Sequence, residues 1–108
     1  MLDMDSDKDW KLKLRYGKIT TPFKHFTLIA EGVAENLIDG FECRPGNAFM
    51  GMKVWASSEE EAFDMIQSIG SQIGFNVTGR IELFDTPPVN PPKENPYGYD
   101  IKFTPFDK

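Results

Sequence analysis

Residues 50–84 read MGMKVWASSEEEAFDMIQSIGSQIGFNVTGRIELF, and they divide into a strand, a capped helix and a second strand. Over Phe49–Ala56, the residues Met50, Met52, Val54 and Ala56 alternate with Phe49, Gly51, Lys53 and Trp55. That is the period of a strand with one apolar face. Ser57 and Ser58 then precede Glu59, Glu60 and Glu61. Ser57 with Glu60, or Ser58 with Glu61, has capping-box spacing, and three acids in the first turn suit the positive end of a helix dipole. Ala62, Phe63, Ile66, Ile69 and Ile73 share one helical stripe, with Met65 at its margin. Gly74 supplies a left-handed stop and Phe75 folds back on the last turn. The spacing predicts a helix over 58–73. Gly70 sits on the buried stripe, where a missing side chain lets the helix approach the sheet closely. The following strand, Val77–Asp85, alternates Val77, Gly79, Ile81 and Leu83 with Thr78, Arg80, Glu82 and Phe84.

Three further segments alternate with the same period: Trp10, Leu12, Leu14 and Tyr16; Phe26, Leu28 and Ala30; Tyr97, Tyr99, Ile101 and Phe103. Val33–Ile38 adds a helical turn stopped by Asp39-Gly40. The expected fold is therefore α+β: a mainly antiparallel five-stranded sheet, in the order β-β-β-α-β-β, with one long helix packed on one face. Its expected core is Leu28, Met52, Val54, Ile66, Ile69, Ile73, Ile81, Leu83, Ile101 and Phe103.

The chain has 108 residues, enough for one packed core, and its composition is that of an ordinary globular domain. It divides into an acidic flexible tail, 1–9, and a single domain, 10–108, with a Pro-rich connector at 85–96. The tail holds four aspartates and one lysine, so it carries −3 of the net charge of −5. The remaining residues carry only −2. Nucleic-acid binding needs a basic stripe, and the one cluster, Lys11, Lys13 and Arg15, follows directly on the acidic tail. No apolar run reaches the ~18 residues of a membrane-spanning helix, and the N-terminus lacks the charge pattern of a secretory signal. The expectation is a cytoplasmic protein that binds neither nucleic acid nor membrane.

Chemistry-bearing residues are few. The ladder Asp3, Asp5, Asp7, Asp9 fails as a calcium loop, because Lys8 stands at the glycine position and Leu14 at the closing-glutamate position. One histidine, His25, and one cysteine, Cys43, make no zinc site. Cys43 lies in a turn around Pro45-Gly46 and not at a helix N-terminus that would activate a thiol. The long helix opens on three glutamates, which repel phosphate. No catalytic, cofactor or metal residue is assigned, and an enzyme is not indicated. The connector contains Pro88-Val-Asn-Pro91, the spacing of a polyproline ligand, and reads more simply as a stiff link.

If Met52 and Val54 face the helix, alternation sends Phe49, Trp55 and Phe84 to the opposite face, beside Arg80 and with Ile29. Aromatics rimmed by charge mark an interface. Phe49, Trp55, Arg80 and Phe84 are therefore the expected interaction residues of a small, non-enzymatic protein-interaction module. Its composition suits an inhibitory or immunity-type protein, and its partner is another protein or a second copy in a homodimer. A competing expectation is that the N-terminal segment or the Pro-rich link covers that face from within. The alternative function is a small-ligand or catalytic pocket beneath the covering segments, with Tyr97, Tyr99, His25 and Cys43 as its candidates.

Overall fold

The computed structural model describes residues 10–18 and 20–107, so the acidic segment 1–9 lies outside the described residues. The fold is α+β. Four strands, β1 (Lys24–Ala34), β2 (Gly46–Ala56), β3 (Phe75–Asp85) and β4 (Tyr97–Pro105), form one antiparallel sheet in the order β3-β1-β2-β4. Residues 10–15 form a short helix, α1, and α2 (Glu59–Ile73) joins β2 to β3.

The sheet has four strands where five are expected from alternation. The segment taken as the first strand is α1: Tyr16 N–H donates to the Leu12 carbonyl at 3.0 Å, and Gly17 ends the turn at φ 77°. Lys, Leu and Arg are good helix formers, and Trp-Lys-Leu-Lys-Leu-Arg-Tyr also fits a helix. Trp10 and Leu14, one turn apart, line a groove with Pro87 and Pro88. Lys11, Lys13 and Arg15 therefore do not share the face of a strand. The helical turn expected over Val33–Ile38 is absent. Val33 and Ala34 end β1, and Ile38 N–H donates instead to the Ile73 carbonyl at 3.0 Å.

The capped helix forms as its sequence predicts. Ser58 is the N-cap, its side chain accepting from the Glu61 N–H at 3.1 Å. Glu61 reaches back to the N–H and hydroxyl of Ser57 rather than to Ser58. Gly74 closes the helix at φ 103°. A side chain at Gly70 would stand 3.1 Å from the Phe75 carbonyl and 3.4 Å from the Met50 sulfur, so the glycine is there for close packing.

Between α2 and the sheet lie Phe26, Leu28, Ala30, Met50, Met52, Val54, Ile66 and Phe75, all essentially inaccessible to solvent. Of the expected core, Leu28, Met52, Val54, Ile66 and Ile73 are buried, whereas Ile69, Ile81, Leu83, Ile101 and Phe103 pack half-buried at its margin. The half-buried set includes every expected core residue of β3 and β4. Those are the edge strands, each paired on one side only, and α2 leaves them partly uncovered. Among the described residues no helix is long and apolar enough to cross a membrane.

Gly32 is the tightest point of the sheet. A Cβ there would collide with the backbone carbonyl of Asn76, which cannot yield as a side chain can. Gly51 is open by comparison, with the Leu28 carbonyl 4.0 Å away. Gly32→Ala is expected to cost about 2–3 kcal/mol, and Gly51→Ala to change stability by less than about 0.5 kcal/mol. Urea unfolding midpoints at unchanged slope measure both.

Candidate functional site: the open sheet face and its strap

Alternation gives the face away from α2 the odd-numbered residues of β1 and β2: His25, Thr27, Ile29 and Glu31, with Phe49, Lys53 and Trp55. β3 adds Glu82 and Phe84, opposite Ile29 and Thr27. In β4 the register breaks between the partners of Gly51 and Lys53. The extra residue is Asp100, in the left-handed region at φ 55°, which an aspartate tolerates better than most side chains. The break places Tyr97 and Tyr99 on the open face, opposite Trp55 and Lys53, while Phe103 is set opposite the buried Met50. Simple alternation had put Tyr97, Tyr99, Ile101 and Phe103 on one face. The bulge divides them.

Residues 86–96 connect β3 at one edge to β4 at the other, and they cross the open face at the end carrying His25, Trp55 and Tyr97. The Pro-rich link thus covers part of this face from within. It is held by side chains. Trp55 Nε1–H donates to the Asn90 carbonyl at 2.9 Å, and Tyr97 O–H to the Pro91 carbonyl at 2.5 Å. The Tyr99 oxygen accepts from the N–H groups of Val89 and Asn90 at 3.0 and 3.1 Å. Five prolines leave fewer backbone donors to satisfy. Pro88 and Pro91 therefore belong to a segment tied to the sheet by its own backbone, not to a free polyproline strand.

His25 closes the arrangement. Its Nδ1 lies 2.9 Å from the Thr86 carbonyl oxygen, which can only accept, so Nδ1 carries the proton. In the neutral ring Nε2 then accepts from the Tyr99 hydroxyl at 2.6 Å. The ring is buried, edge-on to Trp55 with centroids 5.0 Å apart. Burial lowers its pKa from the ordinary value; the Thr86 hydrogen bond opposes that shift and the Lys53 charge adds to it. Burial likewise raises the Tyr97 phenol, with Tyr99 adding to the effect, which keeps Tyr97 a donor.

The four expected interaction residues therefore separate. Phe49 and Phe84 are exposed on the open face together with Ile29. Arg80 lines a shallow depression there with Ile29, Glu31, Phe49 and Glu82. Trp55 is 3% exposed beneath the strap and is not available on the surface. Phe49 also stacks on Phe106, with centroids 4.5 Å apart. Of the four pocket candidates, His25, Tyr97 and Tyr99 come together. Cys43 lies in the loop between β1 and β2, beyond the end of β1 opposite to His25. Among the described residues no three of His, Cys, Asp and Glu gather as metal ligands.

The His25–Tyr99–strap network is not legible in the sequence. The only available signal was a proline run facing strands that hold a Trp, a His and two Tyr. The polar side-chain atoms of the cluster are hydrogen-bonded to one another and to the strap. No protein-family model matches this chain, and neither a curated protein nor a solved structure matches it.

Tyr99→Phe removes one hydroxyl that serves His25, Val89 and Asn90. It is expected to cost about 1–3 kcal/mol, since partners are left unpaired. Chemical unfolding gives the cost, and Trp55 emission should shift to the red as its cover loosens.

Proposed function

We propose that this chain is a non-enzymatic protein-interaction module working through the open sheet face, and that the occupant of that face is a second copy of the chain. The observation that supports this reading is the strip of Ile29, Phe49 and Phe84, which are 37%, 39% and 46% exposed on a face that α2 does not cover. Fully burying one such side chain is worth about 1.5–3 kcal/mol, which makes three of them together a natural docking patch.

Charge layout favours a second copy. The β3 side of the strip carries Glu31, Glu82 and Arg80, two carboxylates to one cation. The β4 side carries Lys53, Lys102 and Asp100, two cations to one carboxylate, with Asp100 ion-paired to both lysines. A two-fold axis parallel to the strands turns the negative side of one copy onto the positive side of the other, as a self-complementary interface requires.

Area sets the strength. β1 has 11 residues, so at ~3.3 Å per residue and ~4.8 Å between strands the whole face is about 36 by 19 Å, near 700 Å². The part beyond the strap, from Thr27 to Val33, is about 440 Å² by the same spacing. A standard interface takes ~800 Å² from each partner. With the strap in place the dimer is therefore of the weak, reversible class.

The pair Ile29→Lys and Phe84→Glu leaves the net charge unchanged and replaces two exposed residues outside the buried core. Sedimentation of the wild type over a concentration series should show a monomer–dimer equilibrium, and the double variant should stay monomeric with its circular dichroism preserved. A wild type that remains monomeric throughout removes the second copy as the occupant. An unchanged equilibrium in the double variant removes the face.

A further inference from the structure

Beyond Thr86, whose N–H reaches the His25 carbonyl at 3.5 Å and whose hydroxyl pairs with Thr27, the segment 86–96 meets the open face through side chains: Trp55, Tyr97 and Tyr99 hold its backbone, and His25 holds Thr86 and, through Tyr99, Val89 and Asn90. We infer that this segment is a releasable strap, closed while His25 is neutral and lifted when His25 takes up a proton, and that lifting it adds Trp55, Tyr97 and Tyr99 to the docking face.

The hydrogen-bond inventory requires a change on protonation. In the closed state the Tyr99 oxygen accepts two N–H groups from the strap and gives its own proton to Nε2. An imidazolium has no acceptor at Nε2. Its Nε2–H would become a third N–H aimed at the Tyr99 oxygen, and the Tyr99 proton would lose its acceptor. Either the ring leaves Tyr99 or Tyr99 leaves the strap. Water is the remaining acceptor for the ring, and the strap lies between the ring and solvent. Behind the ring is the sheet, and beside it are Trp55 and Tyr99.

The surrounding charges favour the same outcome. From β2, Lys53 repels a proton on His25. From β4, the nearby ionisable groups are the phenols of Tyr99 and Tyr97, and Asp100 is committed to Lys53 and Lys102. From the strap, Thr86 offers a carbonyl and a hydroxyl, and Lys93 lies over the Tyr97 ring at 4.5 Å. On the flanking strand positions, Lys24 and Asp85 alternate to the opposite face. No carboxylate hydrogen-bonds to His25 among the described residues. Prolines stiffen the strap, so it moves as a unit once Tyr99 lets go.

The sign follows from linkage. His25 has a lowered pKa in the closed state and an ordinary one, ~6.5, once exposed. The open state binds the proton more tightly. Opening therefore grows as pH falls below ~6.5, by about tenfold per pH unit, until the closed-state pKa is passed. The lifted strap also frees the full length of the face. Its effect on self-association rests on the proposed function, whereas the lifting itself does not.

Amide exchange by NMR between pH 7.5 and 5, corrected for intrinsic rates, tests the lifting. The N–H groups of Val89 and Asn90 and the Trp55 indole should lose protection with the His25 titration, while the amides of Leu28 and Met52 keep theirs. His25→Gln should make the three protections independent of pH. Should that variant fold poorly, the wild type alone decides, by whether the loss of protection tracks the His25 ring resonances. Val89 and Asn90 staying protected while His25 titrates overturns the inference, as does loss in step with Leu28 and Met52. Sedimentation on the same samples separates the two readings. Lifting without tighter self-association retains the strap and rejects the second copy; self-association without lifting does the reverse.

Discussion

The strand order imposes one crossing on this chain. With β1 and β2 between them, β3 and β4 stand three strand spacings apart, about 14 Å. The link must therefore travel over an end or a face of the sheet. It passes over the face that α2 leaves free, where backbone groups need partners and where, beyond Thr86, the strands supply them from side chains. Trp55, Tyr97, Tyr99 and His25 are placed on that end of the face by register. Five prolines reduce the number of donors that the crossing must satisfy. The covered end, the exposed strip and the position of the histidine all follow from this one requirement.

The two faces of the sheet then have different physical characters. Against α2 the packing is dry and close, with Gly32 and Gly70 admitting neighbours that a Cβ would exclude. On the other face the covered end is a polar and aromatic network whose members depend on one another's protonation. In such a network each hydrogen bond polarises its neighbours, so the members act together. The closely packed face holds the apolar core, and the networked face holds the one histidine of the chain.

What the sequence made legible follows the range of the interactions. The α2 boundaries and caps rest on residues within four positions of one another: Ser58 and Gly74 cap the helix as expected, and Glu61 reaches back one residue further, to Ser57. The inward faces of β1 and β2 were equally readable, since Leu28, Met52 and Val54 alternate without interruption. Over 10–16, the alternation in Trp-Lys-Leu-Lys-Leu-Arg-Tyr is compatible with a strand and with a helix, and only a neighbouring strand decides between them. The division of the tyrosines from Ile101 and Phe103 was invisible because it turns on the backbone of Asp100. Trp55 was assigned to the correct face, but its cover comes from residues 35 positions away, beyond any local pattern. That long-range contact is what separates Trp55 from Phe49 and Phe84 in the candidate site.

The register breaks have a consequence for colloidal behaviour. A sheet edge with an uninterrupted run of free amide and carbonyl groups is a template on which further strands can grow. Here both outer strands are irregular, β3 opposite the Ala30–Gly32 step and β4 at Asp100, and β4 closes on Pro105. Neither edge presents a continuous ladder to an incoming chain. Fibre-like growth, which propagates edge to edge, is hindered on both sides of the sheet.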